Sequence, residues 1–238
     1  MTKKSKSSNA ISKEFDMLGK VSSTIVSEMY LEDILKIIVA MTAEVMGAKI
    51  SSLMLLNDKG DELKLVATQS LSKDYTNKPP VKVGQSISGR AVAEKKPIAV
   101  LNVQKDPKYM FPDIAKKEQL VSMLAVPLIV KGKVIGVLNC YSTRQHKFTE
   151  KEVKLVSAVA NQTAVAIYNK RLLEEKGALE IKLEERKVIE RAKGILMKQI
   201  GIPEEEAFSR IRKKAMDSRK SMKEIAEAII LNEGLIKA

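Results

Sequence analysis

The stretch LVSMLAVPLIVKGKVIGVLNCYS, residues 120–142, decides the fold. Two apolar runs of strand length flank Lys131, Gly132 and Lys133, and apolar runs bounded by a glycine turn read as two strands of a hairpin. On the N-terminal side, KISSLMLLN (49–57) and ELKLVATQS (62–70) are split by the turn DKGD (58–61) and read as a second hairpin. SKDYTNKPPVKVGQ (72–85) reads as a loop, SGRAVAEKK (88–96) as a short helix and PIAVLNV (97–103) as a strand. DPKYMFPDIAKKEQL (106–120) is polar with an aromatic pair and suits a lid helix.

Before the hairpins, residues 11–47 are helical in pattern. Leu18, Val21, Ile25, Met29, Leu35, Ile38, Met41 and Val45 recur at three- and four-residue steps, and Gly47 supplies a stop. The order predicts an α+β domain, an antiparallel sheet with helices on one side. Three stretches, VGQSISGRAVAEKKPIAVLNV (83–103), LVSMLAVPLIVKGKVIGVLNCYS (120–142) and FTEKEVKLVSAVANQTAVAI (148–167), resemble a GAF domain. The resemblance covers residues 21–168. Taking residues 16–168 as this GAF-like sensor domain leaves 1–15 as a disordered tail.

Composition narrows the function. The chain has 238 residues, a net charge of +13 and a pI near 9.6, which favours an anionic partner. Cys140 and His146 are the only residues of their types, so neither an internal disulfide nor a Cys/His zinc set can be built. The start MTKKSKSSNA lacks the apolar core of a signal peptide, and no apolar run approaches the roughly 20 residues of a membrane span. A cytoplasmic protein of bacterial type is expected.

Catalytic motifs fail on spacing. A phosphate loop ending at Gly132-Lys133 needs a glycine at position 127, which is Pro127. The serines between Gly84 and Gly89 stand at the wrong offsets for a nucleophile elbow. His146 reads as a solvated turn histidine, Cys140 as a buried strand residue, and Asp58 and Asp61 as turn carboxylates. No enzyme is expected, and no cofactor or metal.

After Thr149 the helical pattern continues. Val165, Tyr168, Leu172, Leu179 and Leu183 fall near a 3.5-residue repeat with Glu, Lys and Arg between them. Residues 165–187 therefore read as a coiled-coil linker making a parallel homodimer; the other reading is a helix lying on its own domain. Gly177 weakens the helix by roughly 1 kcal/mol relative to Ala.

Residues 186–223 hold twelve Lys and Arg against five acids, a net +7. One helix runs to Ile200 and Gly201. A second opens with Pro203 and Glu204 to Glu206, residues suited to a helix first turn, and its core stripe is Ala207, Phe208, Ile211 and Ala215. A third follows Ser221, with Glu224 completing a capping box, and buries Met222, Ile225, Ala226 and Ile229. Met197 and Met216 are also assigned to the core. The lone aromatic is thereby read as structural. Arg210, Lys213 and Lys214 lie on one face of the second helix, Lys187, Arg191 and Lys198 along one side of the first with Lys193 round the curve, and Arg219 and Lys220 at the last joint.

The segment EERKVIERAKGILMKQIGIPEEEAFSRIRKKAMDSRKSMKEIAEAII resembles an ANTAR domain, the RNA-binding output module of bacterial transcription antiterminators. Its most specific part is Ala192 to Met197, followed by Ala207-Phe208, Ile211-Arg212, Ala215-Met216 and Ile225-Ala226. The resemblance implies an all-α three-helix domain over 183–238 that holds paired hexaloop stem-loops in a message leader, one per protomer, and blocks an overlapping terminator. Lys187, Arg191, Lys193, Gly194, Lys198, Arg210, Arg212, Lys213, Lys214, Arg219 and Lys220 are the expected RNA-binding residues. Lys193 has the alternative of packing between helices, and Gly194 of admitting either the third helix or RNA. Unpaired loop bases can be read by hydrogen bonds from such side chains.

Two other classes compete. A DNA-binding regulator would use three short helices as a helix-turn-helix, but the third helix here has few base-reading side chains. An enzyme output needs more than the 70 residues that follow the GAF-like part. The sensor could take a small-molecule ligand beneath the loops at 71–83 and 105–119, and no motif there names one.

Overall fold

The computed structural model describes residues 16–27, 29–70 and 72–236. It divides into two compact units, one up to Lys170 and the other from Arg171. The expected tail lies outside the described residues.

In the first unit, a helix over 16–26 (α1) is followed by α2 (Leu31–Met46), the hairpin β1 (Ile50–Leu56) and β2 (Glu62–Thr68), a one-turn α3 (Lys73–Thr76) and β3 (Val81–Lys82). Then come α4 (Ser86–Glu94), β4 (Ile98–Val100), α5 (Pro112–Lys117), the hairpin β5 (Ser122–Val130) and β6 (Lys133–Ser142), and α6 (Glu150–Ile200). The strands form one antiparallel sheet in the order β3-β2-β1-β6-β5-β4. Both predicted hairpins are present.

The N-terminal helical pattern is broken in two. Ser27 turns back through its hydroxyl to the Thr24 carbonyl at 2.6 Å, an alternative to helical bonding, and Met29 stands exposed outside the core. The segment taken as a loop adds α3 and the edge strand β3. Helices cover both faces of the sheet rather than one. On one face Leu53, Leu124, Val126, Leu128 and Leu138 pack with Val21 of α1, Ile38 of α2 and Val159 and Ile167 of α6. On the other, Met54, Met123, Ala125 and Val137 pack with Tyr75 of α3, Ile87 and Ala91 of α4 and Ala115 of α5. Consecutive residues of β1, β5 and β6, mostly apolar, are buried, so both pleat faces of these central strands are covered.

Gly89 fixes how α4 meets β3. A Cβ there would stand 2.3 Å from the Lys82 carbonyl oxygen, so only glycine allows this approach. Cys140 is fully buried in β6, where burial pushes its thiol up to about 12. His146 is half-buried rather than free in a turn: its Nε2 lies 2.9 Å from the Glu152 carboxylate and its ring stands edge-on to Phe148.

Among the described residues no helix is long and apolar enough to cross a membrane.

Candidate nucleic-acid interface

The second unit takes the C-terminal part of α6, then α7 (Glu204–Ser218) and α8 (Met222–Ile236). Its core is small: Ala192, Ile211, Ala215, Ile225 and Ala226 are buried, with Val188, Ile189, Leu196, Met222 and Ile229 around them. Three alanines in that set let the helix backbones approach closely, so little apolar area suffices to hold the bundle.

Local signals position the helices. Gly201 takes a left-handed conformation after α6, and Glu204, Glu205 and Glu206 occupy the first turn of α7, favoured by its dipole. Arg219 ends α7 at φ 54°, and the Lys220 amide donates back to the Ala215 carbonyl at 3.0 Å. The capping box of α8 is present: the Glu224 amide donates to Ser221 Oγ at 3.2 Å, and the Ser221 amide donates to the Glu224 carboxylate at 2.7 Å.

The cations divide into three kinds. Arg191, Lys198, Arg212, Lys213, Lys214 and Arg219 are exposed and make no side-chain hydrogen bond or ion pair among the described residues. Lys220 is exposed beside Glu224, whose carboxyl it helps to hold below the ordinary range, after the hydrogen bonds from Ser221. Lys187 and Arg210 are exposed but paired, Lys187 with Glu184 at 2.7 Å and Arg210 with Glu206 at 2.7 Å. Exposed pairs of this kind are weak, about 0.3–0.5 kcal/mol, and exchange readily for a phosphate.

Lys193 is of the third kind. Only 8% of its side chain is exposed, and its ammonium lies 2.8 Å from Glu190 and 2.6 Å from Glu204. Hydrogen bonds to those two carboxylates hold the Lys193 pKa above its ordinary value, and the bond from Lys193 lowers that of Glu204. The residue expected as an RNA contact is thus engaged inside the unit, tying α6 to the head of α7.

Three core assignments are corrected. Phe208 is 41% exposed, with the Lys193 ammonium 5.9 Å from its ring centre. Met197 and Met216 are exposed at 38% and 70%. The buried α7 stripe is Ala207, Ile211 and Ala215, a strict four-residue step that leaves position 208 on its border. Lys187, Arg191, Gly194 and Lys198 follow one another along one side of α6 at helical spacing. Nothing comes within 4 Å of where a Gly194 Cβ would stand, so α8 does not approach there, and bare backbone lies open between two cations.

Before this bundle, α6 runs unbroken through Gly177. Leu172, Leu173, Leu179, Ile181 and Leu183 are exposed, and a groove of about 330 Å³ is lined by Leu172, Glu175, Lys176, Leu179, Glu180 and Leu183. Tyr168 departs from the expected seam. It packs against the core of the first unit, and its hydroxyl accepts from Lys131 at 3.2 Å.

The chain has an α+β unit followed by a small basic helical unit, and the comparisons assign a family to each. A GAF domain family model matches residues 30–167 and an ANTAR domain model matches residues 177–230. The chain belongs to the GAF family and carries an ANTAR domain after its GAF domain. Over 199 residues, 78% of the chain, it is 25% identical to the Nif-specific regulatory protein of Herbaspirillum seropedicae. Over 63 residues, 26% of the chain, it is 43% identical to the transcriptional regulatory protein PdtaR of Mycobacterium tuberculosis. It spans about a third of each relative, 36% and 31%. Among solved structures, the GAF domain of a phosphoenolpyruvate-protein phosphotransferase from Coxiella burnetii is 26% identical, with a TM-score of 0.63, covering 71% of this chain and 99% of that one.

Proposed function

We propose that this chain is a cytoplasmic, RNA-binding regulator of transcription antitermination, in which the ANTAR unit holds paired hexaloop hairpins in a message leader and the GAF unit receives the signal. The observation that carries the reading is the set of exposed cations with no side-chain partner among the described residues, Arg191, Lys198, Arg212, Lys213, Lys214 and Arg219, on a bundle too small for a catalytic cleft. Such charges bind phosphates and release counterions. The similarity of 63 residues to a transcriptional regulatory protein supports it.

Phe208 joins the contact set in this reading. An exposed ring beside cations suits stacking with an unpaired loop base, which the notion of a purely structural aromatic left out. Lys193 leaves the set of free phosphate contacts and becomes the residue that fixes the angle between α6 and α7. The apolar stripe from Leu172 to Leu183 pairs two copies, giving two hairpin sites. Duplex DNA is the weaker reading. Lys223 is the only cation on α8 up to Glu233, against Glu224, Glu227 and Glu233, which is a poor recognition helix.

The test is a gel-shift titration of the full chain at two salt concentrations, using an RNA with two adjacent hexaloop hairpins, the same RNA with one loop scrambled, and a duplex DNA of equal charge. Selective retention of the double hairpin, with a salt slope that falls by about one in Arg212→Ala, is expected. Equal binding of all three would reduce the basic surface to a nonspecific polyanion footprint.

A further inference from the structure

The C-terminal part of α6 carries several lines of residues, and the helical period fixes their order around the axis. Leu172, Leu179 and Leu183 mark one line, exposed and bordering a single groove. Continued along the helix, that line passes through Glu190 and Met197, which are exposed. At about 100° per residue, Lys187, Arg191 and Lys198 lie about 80° to one side of the line and Lys193 about 60° to the other. On the far side of the helix, Val188 and Ala192 join Ile211 of α7 and Ile225 of α8 in the core.

The head of α7 stands on the Lys193 side. The Lys193 ammonium is 2.6 Å from Glu204 in the first turn of α7 and 5.9 Å from the ring centre of Phe208. Arg212 follows Phe208 one turn on, along the same border of the buried stripe Ala207, Ile211 and Ala215. A loop base stacked on Phe208 and a phosphate held by Arg212 therefore lie on one side of the leucine line. Lys187, Arg191 and Lys198 of the same copy lie on the other. Between them runs the line itself, which the second copy covers when two helices pair along it.

Two-fold symmetry joins what one copy keeps apart. Identical parallel helices pair about an axis that runs between them. A half-turn about that axis brings the Phe208 side of one copy onto the same face of the pair as the Lys187, Arg191 and Lys198 side of the other. Packed helix axes stand about 8–10 Å apart, a gap that long cationic side chains bridge. Lys187 to Lys198 is a row about 16 Å long and one side chain wide. Arg191 and Lys198 have no side-chain partner among the described residues, and Lys187 has only the exposed Glu184. Gly194 leaves bare backbone within the row. A single file of cations without an aromatic follows one phosphate chain rather than the two strands of a stem, which fits single-stranded RNA.

We propose that Lys187, Arg191 and Lys198 of one copy bind the single-stranded RNA that leaves the hairpin held by Phe208 and Arg212 of the other copy, so that each RNA site is completed across the pair. This completion rests on the paired-hairpin reading given above. Absence of any hairpin binding would sink that reading and the shared site with it. Hairpin binding without the behaviour described below would sink the shared site alone.

The experiment titrates the full chain with one hexaloop hairpin in three forms: bare, with a single-stranded tail of about ten nucleotides, and with the same tail on uncharged methylphosphonate linkages. In the parent the charged tail should tighten binding about tenfold and steepen the salt slope by about 2, roughly 0.7 for each of three phosphates. The uncharged tail should do neither, which tests the strand contact without any substitution. The triple variant Lys187→Ala/Arg191→Ala/Lys198→Ala should lose the gain from the tail. The deciding sample is a mixed dimer of one Phe208→Ala copy and one triple-variant copy, co-expressed and isolated through two different tags. One of its faces keeps Phe208 beside an intact cation row, and the other face has neither. It should hold one tailed hairpin with the parent's affinity, while each variant homodimer binds it about tenfold more weakly or worse. A mixed dimer no tighter than the better homodimer would put ring and row in the same copy and overturn the proposal. A gain from the tail that survives in the triple variant would overturn it too, as would an uncharged tail that works as well as the charged one.

Discussion

Lys193 reaches from α6 to Glu204 at the head of α7, its ammonium 2.6 Å from the carboxylate, while Glu190 holds it from one helical turn earlier. A lysine inside the most specific part of the ANTAR resemblance therefore acts first on the geometry of the bundle. Lys193→Met should lower both the thermal midpoint and hairpin affinity, whereas Arg212→Ala should lower affinity alone. Equal melting of Lys193→Met and parent would return Lys193 to the surface contacts. The pH sign follows from Glu204. Its folded pKa is depressed by the bond from Lys193, so its contribution is present above the ordinary carboxylate range and is lost as pH falls through the lowered value. The Lys193 pKa is raised, so that side of the pair fails only in strong base. Melting curves of the parent and Lys193→Met should converge on acidification.

Phe208 separates binding from stability. At 41% exposure its removal costs the bundle little, under about 1 kcal/mol by the usual scale of surface substitutions. A stacked base is worth about 1–3 kcal/mol, so Phe208→Ala should weaken hairpin binding by about 5- to 150-fold with the melting midpoint nearly unchanged. Phe208→Tyr should keep affinity. A large fall in midpoint with affinity preserved would restore the ring to the core.

How far the sequence carried these readings depended on the range of the interactions. Both hairpins, the α8 capping box and the long α6 rest on neighbouring residues, and their patterns were plain. The cover on both sheet faces was written in the apolar-rich runs of β5 and β6, which do not alternate, yet a period-two reading looks for one wet face. Phe208 and Lys193 were misplaced for a different reason. A helix stripe three residues wide has borders, and which border residue is buried depends on how α6 and α7 meet. That angle is set partly by the Lys193–Glu204 contact, which joins positions eleven apart. The buried pairs Ser52–Tyr75 and Ser88–Asn139 join four segments and leave no local mark.

Gly89 illustrates such a long-range constraint. Its place in α4 looks like a weakness, since glycine lowers helix propensity by about 1 kcal/mol relative to alanine. Gly89→Ala should nonetheless destabilise the sensor unit, because the new methyl would fall 2.3 Å from the Lys82 carbonyl and must push β3 away. Strain of about 1–3 kcal/mol outweighs the propensity gain, and the midpoint should fall by several degrees. Gly177→Ala, in a helix with nothing within 4 Å, should raise it. Melting the two variants side by side checks both signs, and a stable Gly89→Ala would mean the β3 contact is loose.

The exposed stripe on α6 makes the last prediction. Leu172, Leu179 and Leu183 are 42%, 66% and 54% exposed, and they border one groove with Glu175, Lys176 and Glu180 on its flanks. Leucines at seven- and four-residue steps with charges beside them are the pattern of a two-stranded seam. In Leu179→Glu the helix propensity hardly changes, so the helix survives, but two like charges meet where two leucines packed. Light scattering should give a dimer for the parent and a monomer for Leu179→Glu. Two hairpins on one RNA are gripped together only by a dimer, and the second contact then acts at high effective concentration. The avidity at stake is about 10²- to 10⁴-fold. Double-hairpin affinity should therefore collapse to that of the single hairpin in Leu179→Glu, while single-hairpin affinity stays put. A monomeric parent that still prefers the double hairpin would show that the two sites do not come from two copies joined at this seam.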